Sequence, residues 1–296
     1  MLNVLILGHN GFVGSNVKEY FDKQKCKVFT TNSLNKNTIF KKIKKINIII
    51  NCVGENYDLK RMRTSNITYV EKILKNIEKY KKNIFLVHVS SCSVYGSHFH
   101  LIPTSINEVT SSSPISLYAK TKLAADVLIE NAYKRKNIKK YAIIRPSQVI
   151  GANMKSKTYS SLIAYIRYNM FFYISDKYAI RNYIHIKDLI RFIWRICHTH
   201  NVYSSSPKIY LLSRSIKLRT IVKFIKSKLK KKSIELIFPK FFTIITVRVM
   251  KLLFKKFPLT EGAIGGLTSK VKIKSNPKNF KFKYDICKDY LKQIIQ

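Results

Sequence analysis

The chain has 296 residues, 46% of them hydrophobic, enough to bury the core of one large α/β domain, or of one domain with a smaller appendage, and no apolar run is long enough to span a bilayer. Five scattered cysteines (Cys26, Cys52, Cys92, Cys197, Cys287) lack CxxC spacing, which argues against structural zinc and suits free thiols in a reducing, cytoplasmic setting. The formal net charge of +41 would suit a polyanion, but the lysines spread along the whole chain without a nucleic-acid-binding motif, so they read as solvated faces rather than a nucleic-acid site.

Leu2 to Leu7 is a short apolar run with β-branched members and predicts a buried first strand. With no basic region or cleavage site around it, it does not read as a signal peptide. It breaks into Gly8-His9-Asn10-Gly11-Phe12-Val13-Gly14, and a helical pattern follows from about Ser15 to Lys23. A GxxGxxG turn between strand and helix lets the backbone turn sharply and approach a pyrophosphate, and the helix N-terminus supplies free N–H groups. The next strand, Lys27 to Thr30, leads to Thr31, Asn32 and Ser33. In an NAD-binding unit an acidic residue there bonds the adenosine ribose. Its absence, with Lys36 close by, leans toward NADP, or toward either cofactor. The basic stretch from Asn35 to Lys45 barely holds another strand and crossover, so one strand of the usual sheet is expected to be vestigial.

Asn47 to Val53 predicts a buried strand closing on Asn51-Cys52-Val53-Gly54, and Asn66 to Tyr80 carries helical periodicity through Ile67, Val70, Ile73, Leu74 and Ile77. Ile84 to Val89 is apolar except His88, which reads as a satisfied core residue rather than a ligand. The strand ends in a polar tip, Ser90-Ser91-Cys92-Ser93 before Val94-Tyr95-Gly96, where open α/β sheets place their chemistry. After a loop from His98 to Ser113, Pro114 leads into a helix running to about Tyr133. Tyr118 and Lys122 lie four apart and share one face of it. An ammonium near a phenol favours the phenolate, so the pair can shuttle a proton in a hydroxyl–carbonyl interconversion while a serine hydroxyl holds the same oxygen. Taken alone, Tyr-x-x-x-Lys also fits a surface helix with one aromatic and several lysines.

In this order the pieces resemble the extended short-chain dehydrogenase/reductases of the nucleotide-sugar epimerase/dehydratase group. The resemblance covers about Met1 to Phe192, with weaker echoes to the C-terminus. It rests on Gly8, Gly11 and Gly14; Asn51 to Gly54; Asn66; Ser91 with Val94-Tyr95-Gly96; Glu108, Pro114, Tyr118 and Lys122; Arg145-Pro146-Ser147-Gln148-Val149-Ile150-Gly151; and Arg181-Asn182-Tyr183-Ile184-His185-Ile186-Lys187-Asp188. It implies a Rossmann-type doubly wound parallel sheet with a smaller C-terminal substrate-binding lobe. Residues 1–150 would form the NAD(P)-binding domain, and 151–296 would complete the sheet and build the lobe. It further implies Tyr118 as acid/base, Lys122 as its partner on the ribose, and Ser91 on the reacting oxygen. Gly8, Asn10, Gly11, Phe12, Val13, Gly14, Asn32, Cys52, Val53, Gly54, Asn66 and Pro146 would join Tyr118 and Lys122 around NAD or NADP. Gln148 and Arg181, with Ser91, would contact a nucleotide-sugar substrate, in a homodimer.

Departures sharpen the expectation. Tyr69-Val70 replaces a Gly-Thr in the helix after Asn66, and Leu212-Ser213-Arg214-Ser215-Ile216-Lys217 replaces a glycine-rich segment. Cys92 and Ser93 stand where sugar-nucleotide 4,6-dehydratases carry Asp-Glu, and neither can act as that acid–base pair, so dehydration is disfavoured. The expected activity is epimerisation, at C4 of a UDP- or dTDP-hexose. The alternatives are an NADPH-dependent 4-ketoreductase and a non-catalytic nucleotide-binding assembly subunit.

In the C-terminal third, Ser161 to Ile174 predicts an apolar helix leading to a strand. His185 and Asp188 read as structural, because no third residue has metal-ligand spacing. Lys240 to Lys256 places Lys240, Arg248, Lys251 and Lys255 near one helix face among Phe, Ile, Val, Leu and Met. Peripheral contact with an anionic membrane is one expectation for it; a lobe helix with its apolar face packed inward is the favoured one. A last helix is expected around Tyr284 to Leu291.

Overall fold

The computed structural model describes residues 2–31, 46–80, 83–100, 105–154, 158–198, 208–232, 235–253, 264, 267–275, 277 and 280–295. Strand β1 (Leu2–Leu7) runs through the glycine loop into α1 (Phe12–Asp22) and then β2 (Cys26–Thr31) and β3 (Ile48–Asn51). Helix α1 begins three residues before the expected Ser15. Gly11 serves as its N-cap in extended conformation, so the turn and the helix overlap. A short helix α2 (Leu59–Arg63) passes through a π-helical turn at Thr64–Thr68 into α3 (Tyr69–Lys79). The sequence pattern missed the start of this run, which Asp58 fixes by accepting from the amides of Lys60 (2.9 Å) and Arg61 (3.3 Å).

Next come β4 (Phe85–Val89), a kinked 3₁₀ segment Cys92–His100, β5 (Ser105–Ile106) and α4 (Leu117–Lys134), which Ser116 caps by accepting from the Ala119 amide. Strands β6 (Lys140–Pro146) and β7 (Gln148–Ile150) precede α5 (Thr158–Arg167), β8 (Tyr173–Ile174), β9 (Ile180–His185) and α6 (Ile186–His198). The chain closes with β10 (Lys208–Leu212), β11 (Arg214–Lys217), α7 (Leu218–Lys228), β12 (Ile237–Phe238), α8 (Lys240–Leu253), β13 (Lys272–Ile273), a π-turn at Cys287–Leu291 and α9 (Lys292–Ile295).

Among the described residues, six parallel strands form the main sheet in the order β10-β6-β4-β3-β1-β2. From β1 the chain winds outward to β2, then crosses back to β3 on the other side, so the strand order reverses between β1 and β3. This is where the carboxyl ends of parallel strands leave a crevice. Asn32 and the rest of the stretch expected to hold a vestigial strand lie outside the described residues.

Alternation along each strand builds two layers. Val4, Ile6, Ile48, Ile50, Val87 and Ile144 point to one face, where α1 and α6 cover them. Leu5, Leu7, Ile49, Leu86 and Ile143 point to the other, beneath Val70, Ile73 and Ile77 of α3 and Ala125 and Ile129 of α4. A separate cluster around Tyr159, Ile163, Tyr183, Ile221, Ile225, Tyr290 and Leu291 forms the core of the C-terminal lobe. Asp188 is fully buried and accepts from the amides of Lys283 (3.0 Å) and Tyr284 (3.0 Å) and from Arg191 (2.6 Å). His185 stacks on Tyr284 and accepts from the Lys187 amide. Both are thus structural, and no metal-ligand cluster occurs among the described residues.

Helix α8 departs from expectation. Val247 and Thr243 are buried and Ile244 packs beneath, but Phe241, Phe242, Ile245 and Val249 are exposed. A helix apolar on two faces can bury only one of them against a single lobe. No helix among the described residues is long and apolar enough to cross a membrane.

Candidate active site

The glycine loop is built by close approach of β1 and β3. Gly8 takes φ +78°, and a Cβ there would lie 2.8 Å from the Cys52 carbonyl carbon and the Val53 nitrogen. A Cβ at Gly14 would overlap the Gly8 carbonyl oxygen. Gly11 donates to that same oxygen at 3.0 Å. Only glycine fits at 8 and 14 without moving backbone. No side chain caps the first turn of α1, so its amides face the crevice with the positive end of the helix dipole.

A cleft of about 870 Å³ opens along the carboxyl ends of β1, β3, β4 and β6. Of the expected site residues, Gly11, Phe12, Val13, Cys52, Val53, Gly54, Ser91, Tyr118, Lys122, Pro146, Gln148 and Arg181 line it. Gly8 and Gly14 lie behind the wall as packing positions. Asn10 is exposed on the loop and is not among the lining residues. Asn66 lies buried behind Gly54, accepting from the Glu55 amide (2.9 Å) and donating to the Glu55 carbonyl (3.0 Å) and Thr121 Oγ1 (2.9 Å). It therefore ties the loop after β3 to the helix that carries Tyr118 and Lys122.

The proton-handling groups converge on the floor. The Tyr118 phenol is hydrogen-bonded to the Ser91 hydroxyl. Burial holds that phenol above its ordinary range, the Ser91 bond opposes the rise, and the buried Asp126 carboxylate adds to it. Lys122 is 2% exposed and donates to the Val89 carbonyl at 2.7 Å. Burial pulls its ammonium down to about 8, against the pull of Asp126 and Cys52 in the other direction. Burial, rather than the Lys122 ammonium expected from the four-residue spacing, sets the direction of the phenol's shift.

Behind the floor lies a buried polar network that sequence patterning missed. Asp126 accepts from Arg145 Nε (3.0 Å) and Ser90 Oγ (2.9 Å), and Arg145 donates to the Tyr95 hydroxyl (2.7 Å). His88 Nδ1 meets Asn51 Nδ2 at 3.0 Å, and burial drops its pKa well below the usual range, so it is neutral and belongs to the core. At the far wall Arg181 hydrogen-bonds Tyr159, whose hydroxyl donates to Gln148 Oε1 at 3.5 Å. Tyr159 was also unforeseen; it follows Gln148 by 11 residues, a separation no local pattern reports.

The residues present suit a dinucleotide: a glycine-walled turn, an uncapped helix end and a cleft running to a Ser–Tyr pair over a lysine. The chain resembles solved structures of known enzymes. It overlays RMD from Pseudomonas aeruginosa complexed with NADPH with TM-score 0.70 at 15% identity, over 100% of this chain and 98% of that one. It overlays dTDP-glucose 4,6-dehydratase from Bacillus anthracis in complex with NAD with TM-score 0.72 at 18% identity, over 99% and 96% of the two chains. For dTDP-4-dehydrorhamnose reductase from Yersinia enterocolitica the values are 0.62 and 20%, over 81% and 84%. A search of curated protein sequences returned no match. The family model for the NAD dependent epimerase/dehydratase family matches residues 4–212. With the glycine loop, the sheet and the cleft in agreement, the chain belongs to that family, the NAD(P)-dependent enzymes of the extended short-chain dehydrogenase/reductase type.

Proposed function

We propose that the protein epimerises a nucleotide-linked hexose, at C4 of a UDP- or dTDP-sugar. One observation carries the proposal: the hydrogen-bonded Ser91–Tyr118 pair, with Lys122 buried beside it, opens into the same cleft as Gln148 and Arg181. NAD(P), when bound, supplies the acceptor and donor of hydride. Burial holds Tyr118 protonated in the empty cleft, and the positive charge of a bound oxidised nicotinamide would favour its phenolate, which would then take the proton of the C4 hydroxyl while Ser91 donates to the same oxygen. Once the ketose had turned over, reduction at its other face would draw the proton back from Tyr118, leaving C4 inverted and the dinucleotide in its starting oxidation state. Arg181, held through Tyr159, supplies a cation for the diphosphate, and Gln148 an amide for the sugar nucleotide.

Water elimination lacks its groups. Cys92 donates its thiol to the Arg145 carbonyl at 3.0 Å, and the Ser93 hydroxyl is buried without a partner among the described residues. Neither is a carboxylic acid. A 4-ketoreductase is the second reading, favoured by the lack of a carboxylate at Thr31, where β2 ends beside Leu7. Denaturing the purified protein and weighing any released dinucleotide separates the two. Stoichiometric NAD supports the epimerase, and an empty protein that binds NADPH supports the reductase. Binding of neither overturns both. Tyr118→Phe should abolish turnover while dinucleotide binding persists; full biological activity in that variant would instead support a non-catalytic assembly subunit. A homodimer belongs to the proposal and is tested by sedimentation.

A further inference from the structure

We infer that the outer face of α8, together with the β8–β12 ribbon, docks on an anionic phospholipid surface. On α8, Phe241 and Phe242 are 69% and 62% exposed, and Ile245 and Val249 join them at helical spacing on the side opposite buried Thr243 and Val247. The chain reaches α8 through Leu236, Ile237 and Phe238, all exposed as well. Ile237 and Phe238 pair with Tyr173 and Ile174 of β8, and the exposed Phe172 ring lies 4.7 Å from that of Phe238. Helix and ribbon are joined through Pro239 and packed together where Val247 meets Ile174, and both leave aromatic and aliphatic side chains exposed. Exposed apolar side chains gathered in this way mark an interaction site.

Charge selects the partner. From Leu236 to Thr260 the sequence contains no Asp or Glu. Among the described residues, two acids flanking the ribbon are already paired: Glu235 with Lys177 (2.9 Å) and Arg219 (2.6 Å), and Asp176 with Lys270 (2.6 Å). Lys240 and Arg248 are exposed on α8, and exposed Lys230 and Lys232 lead toward the ribbon. A second copy docked through this same face would set Lys240 and Arg248 against their own images. A lipid surface with anionic headgroups matches both properties: rings and branched chains enter the headgroup boundary while lysine and arginine meet the phosphates. Such docking would carry the enzyme to the membrane without closing the cleft, whose lining residues do not include the patch.

The test is sedimentation of the full chain with vesicles of phosphatidylcholine alone, and of phosphatidylcholine and phosphatidylglycerol in equal parts. Binding should be confined to the anionic vesicles and fall with rising salt. The paired change Phe241→Ser, Phe242→Ser should weaken it by about tenfold or more, as should Lys240→Glu with Arg248→Glu. Both variants should keep the wild-type melting temperature and dinucleotide binding. The charge-reversal pair leaves the apolar face intact, so it tests the proposal even if the serine pair fails to fold. Absence of binding, or equal binding to both vesicle types, overturns the proposal. So does self-association without lipid that the serine pair abolishes, which would make the face an interface between copies.

Discussion

Lys122→Met should make the protein more stable at neutral pH while destroying its activity. Lys122 is 2% exposed, and burial brings its pKa from 10.5 to about 8. A depression of about 2.5 units at ~1.4 kcal/mol each corresponds to about 3 kcal/mol of cost in keeping the ammonium charged. Methionine has similar length and no charge, so it removes that cost. It also removes the donor to the Val89 carbonyl, 2.7 Å away, a loss of about 1–2 kcal/mol. The net expectation is a variant about 1–2 kcal/mol more stable at pH 7. The sign then changes with pH. The folded pKa lies below the unfolded one, so between about 8 and 10.5 the unfolded chain binds more protons and wild-type stability rises with pH, by about 1.4 kcal/mol per unit. By about pH 10 wild type holds a neutral amine with its hydrogen bond intact and should be the more stable of the two. Urea unfolding of dinucleotide-free protein from pH 7 to pH 10 checks this, alongside a turnover loss of about 10²-fold or more. A variant less stable at pH 7, or a stability gap that is flat across the range, refutes the argument that the site keeps a charge against its own solvation.

Gly14→Ala forces a methyl onto the Gly8 carbonyl oxygen and should cost about 1–3 kcal/mol, with dinucleotide affinity falling at least about tenfold; calorimetry showing unchanged affinity would contradict the cradle. Asn66→Leu removes three hydrogen bonds and leaves the Glu55 amide buried or re-solvated, which should lower stability by about 2–4 kcal/mol in urea melts. Tyr159→Phe leaves the lobe core filled but unlinks Arg181 from Gln148; KM for a nucleotide-sugar should rise about fivefold with kcat within about twofold, and an unchanged KM would remove this chain from substrate recognition.

The floor of the candidate site was legible because its pattern is local. Glycines at 8 and 14 mark a turn that side chains cannot make, and Tyr118 and Lys122 share a helix face by spacing alone. Strand alternation likewise separates Val4 and Ile6 from Leu5 and Leu7 before any partner is known. Long-range polar pairings left no such trace. Asp126 meets Arg145 and Ser90 across 19 and 36 residues, and nothing in its own helix marks it as buried. The run beginning at Leu59 was missed because Asp58 is an ordinary aspartate until its carboxylate is seen on two amides. On α8, periodicity reports that apolar residues recur but cannot say which of two apolar faces finds a neighbour.

The strand order also governs how the chain comes off the ribosome. By residue 146 five of the six parallel strands exist, yet β6 still has a bare edge, because its outer partner β10 is only completed at residue 212. The sheet face under Val87 and Ile144 waits too, for α6 and for Phe280 and Phe282, which Asp188 anchors through the neighbouring amides of Lys283 and Tyr284. The nascent N-terminal part is therefore an unfinished sheet with a sticky side and an open rim for most of its synthesis. Like charges spread along the whole chain oppose contact between two such unfinished sheets, a repulsion that acts before any native surface exists.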